Sequence, residues 1–206
     1  MQLVFPVGAV YHWNLSLDRR SARMKIRVSV LISIIAVVSV LTGVYAQESP
    51  LRRPDVVFVP TPDDVVAAML EVANVTNNDV VYDLGCGDGR IPVAAAGKYN
   101  ARAVCIDIDP QRIQEANENV AKNKVGDRVR VMHADLFETD LSEATVVTLY
   151  LLPSLNVKLI PTLQKMKPGT RVVSHAFDMG GCKPEKELSV SGRGVYYWTI
   201  PMKCEN

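Results

Sequence analysis

Charge of either sign is not in excess in this 206-residue chain: 23 Lys and Arg stand against 22 Asp and Glu, a formal net of +1. A chain-wide basic surface for nucleic acid is thereby excluded. Internal repeats and low-complexity stretches are absent. With 48% apolar and 22% charged residues, the composition is not that of a disordered chain. Cysteine and histidine are scarce, four and three, and no group of them has metal-ligand spacing. The glycine fingerprint of dinucleotide-binding folds is also missing, because Arg90 stands where its last Gly would fall.

What is present is unevenly distributed. Residues 1–46 hold five cations and one acid, Asp18, whereas residues 47–206 carry 18 Lys and Arg against 21 Asp and Glu, a net of −3. Arg19, Arg20, Arg23, Lys25 and Arg27 precede Val28–Val44, seventeen residues without a charge, and Tyr45-Ala46 leads into the polar Gln47-Glu48-Ser49-Pro50. This order is that of a secretory signal cleaved before Gln47. Met24 opens a more conventional version of it, which makes residues 1–23 readable as an over-extended start. The alternative is an uncleaved anchor, at the short end of what spans a core of roughly 30 Å. In both cases the cations precede the apolar run, and the positive-inside rule sends the following domain across the membrane. The expected location is exported (periplasmic or secreted), or anchored in the inner membrane by residues 28–44, with a cytoplasmic chain bearing a spurious leader as the remaining alternative.

Residues 47–60 read as an extended arm and 61–206 as one domain. Thr61-Pro62-Asp63-Asp64 predicts a helix start, with a hydroxyl cap, Pro at the first helical position and acids at the positive dipole end. Val80–Leu84 reads as a buried strand entering Gly85-Cys86-Gly87-Asp88-Gly89, and Ile91–Lys98 as a helix. Ala101–Ile108 is a second strand, followed by a helix that Asp109-Pro110 caps and that ends near Lys122. Val129–Met132 and Ala144–Leu152 are further strands, Leu155–Met166 a helix, and Arg171–His175 a fifth strand. Glu187–Val190 and Gly194–Ile200 suit a hairpin. The alternation predicts an α/β fold: a Rossmann-like, doubly wound, mostly parallel seven-stranded sheet closed by a C-terminal antiparallel hairpin.

The segment around the first strand carries the chemistry. Glycines at 85, 87 and 89 allow positive φ and close approach of a ligand, and the helix beyond offers free N–H groups. Asp83 stands two residues before the first Gly. The second strand ends in Asp107-Ile108-Asp109, where a carboxylate can accept both hydroxyls of a ribose. The third is followed by His133-Ala134-Asp135. Three acids at consecutive strand ends suit a ligand with an ammonium, a ribose diol and an amino-purine.

On these residues the chain resembles the class I S-adenosylmethionine-dependent methyltransferases, over about residues 55–200. Val81-Tyr82-Asp83-Leu84-Gly85-Cys86-Gly87-Asp88-Gly89 matches their first motif, Asp107 stands where they bind ribose, and Asp135 where they hold the adenine amine. The resemblance implies S-adenosyl-L-methionine as cofactor, with Thr61, Asp83, Gly85, Cys86, Gly87, Gly89, Asp107, Ile108, Ala134 and Asp135 around it. Phe58-Val59-Pro60-Thr61, Gly87-Asp88-Gly89-Arg90-Ile91 and Asp109-Pro110 are similar to bacterial relatives of the lysine methyltransferases of the mitochondrial ATP synthase c-subunit. That family usually has Ser at position 86 and Glu at 107. The narrower likeness implies a protein lysine as acceptor.

Methyl transfer is an in-line displacement that needs alignment rather than a triad. Tyr150-Leu151-Leu152-Pro153 ends the fourth strand, where enzymes that methylate DNA base amines often carry Asn/Asp-Pro-Pro-Tyr/Phe. That difference and the net of −3 argue against nucleic acid. An apolar rim of this kind favours a neutral amine. Tyr150 and His175 are the catalytic candidates, although a structural role suits His175 better. His133 reads as a wall of the adenine pocket, and Arg90 as a partner of Asp88. The Leu51–Thr61 arm, the Tyr150–Pro153 rim and Phe177–Glu187 are left to recognise the acceptor, a protein or a small molecule. The oligomeric state is open, and the membrane is a partner only through an uncleaved leader. Other readings are a binding module without catalysis and, third, a nicotinamide oxidoreductase. Cys86, Cys105, Cys182 and Cys204, an even set behind an export-type leader, invite a disulfide reading, but they are expected unpaired. Cys86 lies in the ligand loop and Cys105 inside the second strand, facing different surroundings, and the predicted topology puts Cys182 and Cys204 on opposite edges of the sheet.

Overall fold

Val80–Leu84 (β1) is buried along its whole length, as a strand covered on both faces must be. In the computed structural model, which describes residues 51–205, it is an interior strand, third from one edge, of a seven-stranded sheet. The leader expected in residues 1–46 lies outside the described residues. Helix α1 (Asp63–Val72) precedes β1; α2 (Arg90–Tyr99), β2 (Arg102–Asp107), α3 (Pro110–Lys122), β3 (Val129–His133) and β4 (Val146–Leu149) follow. Then come α4 (Pro153–Leu163), β5 (Arg171–His175), β6 (Lys186–Val190) and β7 (Arg193–Thr199). The strand order is β3-β2-β1-β4-β5-β7-β6, parallel up to β5, with β7 antiparallel to both β5 and β6. The predicted fold class is the observed one.

Period-two alternation along β1 distributes its side chains to two cores. Val81 packs with Val65, Met69, Ile91 and Ala95 from α1 and α2, and Tyr82 and Leu84 pack with Leu159 and Leu163 from α4. At about 25 cal/mol per Å², each of these fully buried aliphatic side chains contributes roughly 1.5–3 kcal/mol. At the amino edge Asp79, 6% exposed, accepts from Thr76 N–H at 2.7 Å and Thr145 Oγ1 at 2.7 Å, and it pairs with Arg171. Burial alone would raise its pKa, but those donors hold it below the ordinary value. The network ties β1, β4 and β5 together at the edge opposite the glycine loop.

Several expectations require correction. The first helix is capped by Pro62 with no side-chain hydrogen bond; the Thr61 hydroxyl turns instead to His175 Nδ1 at 3.2 Å. The fourth strand is Val146–Leu149 rather than Ala144–Leu152. Thr145 Oγ1 is drawn to Asp79, and Leu151 leaves the ladder to pack in the core. The hairpin turn is Ser191-Gly192, with φ of 48° and 78°, the two left-handed residues of a two-residue turn; Arg193 already belongs to β7.

The cysteines are the largest correction: all four are paired, Cys86 with Cys105 and Cys182 with Cys204, at Cα–Cα distances of 5.3 and 3.8 Å. After Leu84 the chain folds over β2, and both Gly85 and Cys86 donate N–H to Ile106 O, which sets Cys86 above Cys105. The second pair follows from strand direction. Because β6 is antiparallel to β7, it starts at the amino edge of β5, so residues 176–185 must return to that edge. Cys182 thereby meets the segment after β7, and Cys182 and Cys204 form an isolated bridge.

Candidate active site

The switch between β1 and β4, where strand order reverses, opens a cleft at the carboxyl edge. Thr61, Asp83, Gly85, Cys86, Asp107, Ile108, Ala134, Asp135 and Tyr150 all line it. Gly87 and Gly89 shape the loop beneath. His175 does not line the cleft; it is 1% exposed and packs behind Tyr150, ring centroids 3.9 Å apart. His133 does not line it either, being exposed and placed by Nε2 against Ile108 O at 3.0 Å.

The loop depends on glycine where its backbone has positive φ and lies close under neighbouring side chains. Gly87 has φ 55°, and a Cβ there would fall 2.1 Å from the Phe58 ring. At Gly85, φ 79°, a Cβ would sit 2.9 Å from Leu151 Cδ2. Arg90 clamps the loop from outside: its Nε donates to Asp88 Oδ1 at 3.0 Å and one terminal nitrogen to Thr61 O at 2.8 Å.

Three carboxylates stand at the ends of β1, β2 and after β3 in three different electrostatic states. Asp83 is buried and accepts from Thr148 Oγ1 at 2.7 Å. Burial, aided by Asp107 and Asp88, pushes it up to about 7. Asp107 accepts from Gly87 N–H and Asp109 N–H, both at 2.9 Å, which fixes the carboxylate plane. Burial still raises its pKa. Asp135 accepts from Phe137 N–H at 2.9 Å and from the Arg52 guanidinium at 3.1 Å. Burial opposes these donors, yet its pKa is lowered.

The cleft also has a wall supplied by the arm that the sequence reading assigned to acceptor recognition. The arm of residues 52–59 lies along it: Arg52 also pairs with Asp55, Phe58 sits over Gly87, and the Arg112 guanidinium covers the Phe58 ring at 4.7 Å.

A fixed acid on β2, a glycine cradle and a buried, partly protonated acid fit the ribose, backbone approach and cationic end of a sulfonium nucleoside. The parallel sheet with its terminal hairpin and this cleft define an S-adenosylmethionine-dependent methyltransferase. The model of the ANTKMT methyltransferase domain matches residues 83–186. A protein-lysine N-methyltransferase of Saccharolobus islandicus (strain REY15A) is 50% identical over 153 residues, 71% of this chain and 95% of its own length. The crystal structure of an RNA methyltransferase from Salinibacter ruber in complex with S-adenosyl-L-homocysteine aligns with a TM-score of 0.69 at 53% identity, over 71% of this chain and 97% of that one. Similarity to the ribosomal protein L11 methyltransferase of Desulfitobacterium hafniense (strain DSM 10664 / DCB-2) is partial, 35% over 86 residues, 42% of this chain and 27% of that protein. The chain belongs to the ANTKMT methyltransferase domain family.

Proposed function

We propose that this enzyme methylates lysine side chains of a protein, and that it works outside the cytoplasm. The observation that carries the acceptor class is the 50% identity to a protein-lysine N-methyltransferase across 95% of that protein's length. The net of −3 over residues 47–206 supports it against the nucleic-acid acceptor named for the Salinibacter ruber structure. S-adenosyl-L-methionine supplies an electrophilic methyl on sulfur. Asp107 accepts the ribose hydroxyls, Asp135 the adenine amine once Arg52 yields it, and Ile108 and Ala134 flank the base. Asp83 and the Gly85–Gly89 loop hold the methionine end, Cys86 is stapled in place by Cys105, and Thr61 closes the side towards β5. On the acceptor side Tyr150, Leu151 and Leu155 offer little solvation, which favours the neutral, nucleophilic amine.

Two features support the location: the cationic leader before Val28–Val44, and the pairing of all four cysteines, which suits an oxidising compartment. Incubation of the full chain with tritiated-methyl donor and cell-envelope extract, followed by acid hydrolysis, tests the reaction. Label should recover as methylated lysine in a protein band. Label in nucleic acid or in a small molecule would contradict the acceptor class, and no label at all would favour a binding module.

A further inference from the structure

The β5 end of the carboxyl edge contains more built structure than donor binding requires. Ala176 adopts φ 64°, in the left-handed region that a Cβ disfavours, and Phe177 N–H closes a tight turn on His175 O at 2.8 Å. Neighbours on three elements over-determine this turn. Ala176 N–H donates to Gly194 O at 2.8 Å, and Ser174 Oγ donates to Phe177 O. The fully buried Asn156 of α4 donates to Phe177 O at 3.2 Å and to Asp178 O at 3.0 Å. Backbone strain held this firmly concentrates at functional positions. Its effect is to bring the Phe177 ring 6.5 Å from that of Tyr150, with 22° between their planes.

Tyr150 is also held by β5. The His175 ring packs 3.9 Å from it, and His175 Nδ1 is anchored to Thr61 Oγ1. Burial first, and Arg193 second, lower the His175 pKa, so a neutral ring stands behind Tyr150. The result is an aromatic pair on the β4–β5 side, in which Tyr150 lines the cleft and Phe177 stands next to Tyr150.

We propose that Tyr150 and Phe177 form a seat for the acceptor nitrogen that stabilises the positive charge it gains during transfer and retains methylated lysine for further transfer. This rests on the lysine reading above. In each transfer the neutral amine's lone pair forms the N–C bond, the C–S electron pair stays on sulfur, and the positive charge passes from sulfur to nitrogen. The nitrogen then gives one proton to water before the next transfer. A π face attracts that charge only as it develops, which lowers the barrier and not merely the binding energy. Mono- and dimethylated lysine, bulkier and less well hydrated than the parent ammonium, gain most.

The test uses the full chain saturated with S-adenosyl-L-homocysteine and titrated with Nα-acetyl-trimethyllysine amide or with its neutral analogue bearing carbon in place of the quaternary nitrogen. Wild type should prefer the cation by ~10-fold, from the usual strength of cation–π contacts. Phe177→Leu and Tyr150→Leu should each erase most of that preference, and Tyr150→Phe should keep it. Donor-product affinity should be unchanged in Phe177→Leu, whose side chain is not among those lining the donor cleft, which reports an intact fold. In parallel, mass spectrometry of a lysine peptide should show Phe177→Leu shifting products from di- and trimethyl towards monomethyl. Equal binding of cation and analogue by wild type, or an unaltered preference in Phe177→Leu, would overturn the seat. Lysine methylation without the preference removes the seat and leaves the lysine reading. The preference without any lysine methylation removes the lysine reading and leaves a seat for another amine.

Discussion

Along β1, β2 and β3 the carboxyl edge ends in Asp83, Asp107 and Asp135, each with named donors, over a loop that only glycine can form. Along β4 and β5 it ends in Tyr150 and His175, followed by a strained turn that presents Phe177. One half is polar, with its hydrogen bonds set before any ligand arrives; the other is aromatic and apolar. A sulfonium nucleoside needs fixed partners for its diol and cationic end, and holding those partners in advance avoids reorganisation there on binding, whereas Asp135 must first be released by Arg52. An amine that must shed its proton needs the reverse, a poorly solvating surface. The topological switch between β1 and β4 lets one sheet supply both.

The contrast breaks most sharply at Asp107. Asp107→Ala removes both charge-assisted acceptors of a ribose, so calorimetry should show donor affinity falling by ~100-fold or more, while the cation preference of the aromatic side is unaltered. A smaller loss would reassign the ribose. Asn156→Ala probes the other half: deleting buried donors to Phe177 O and Asp178 O should cost about 1–3 kcal/mol in chemical denaturation. It should also raise the acceptor KM while the donor Kd stays within twofold.

Acidity gives a third test. With its pKa at about 7 against an ordinary 3.8, Asp83 keeps in the folded state a proton that the unfolded chain has already lost. Stability of the free protein should therefore decline as pH rises from about 4 to about 7, read by thermal melts. A cationic ligand favours the ionised form, so donor affinity should rise across pH 5–7, by up to about tenfold per unit, and level off above. Asp83→Asn should flatten both profiles. The smallest effect is expected at Arg52, part-exposed and paired with Asp135. Exposed ion pairs contribute roughly 0–1 kcal/mol, so Arg52→Ala should tighten donor binding by no more than ~fivefold.

Local pattern made much of the polar half readable. Val80–Leu84 and Arg171–His175 have the bounds their apolar runs predict. The acids fall at strand ends because parallel strands all finish on one edge. What was hidden depends on the paths of connections. Phe58 over Gly87, Arg52 on Asp135 and Thr61 on His175 join residues 29, 83 and 114 positions apart, and no periodicity encodes such pairings. Cys182–Cys204 is instructive, since the antiparallel order of β5, β7 and β6 already obliges the intervening chain to return. The Cys86–Cys105 bridge needed the fold of the glycine loop over β2, which residue spacing alone does not specify.

Calorimetric titration of the full chain with S-adenosyl-L-methionine, in wild type, Asp107→Ala and Phe177→Leu, addresses the division of the edge most directly. Wild type and Phe177→Leu should bind the donor alike and Asp107→Ala should not bind it measurably. No heat from wild type at high micromolar donor, or equal loss in both variants, would contradict a donor half built on β1–β3 and an acceptor half built on β4–β5.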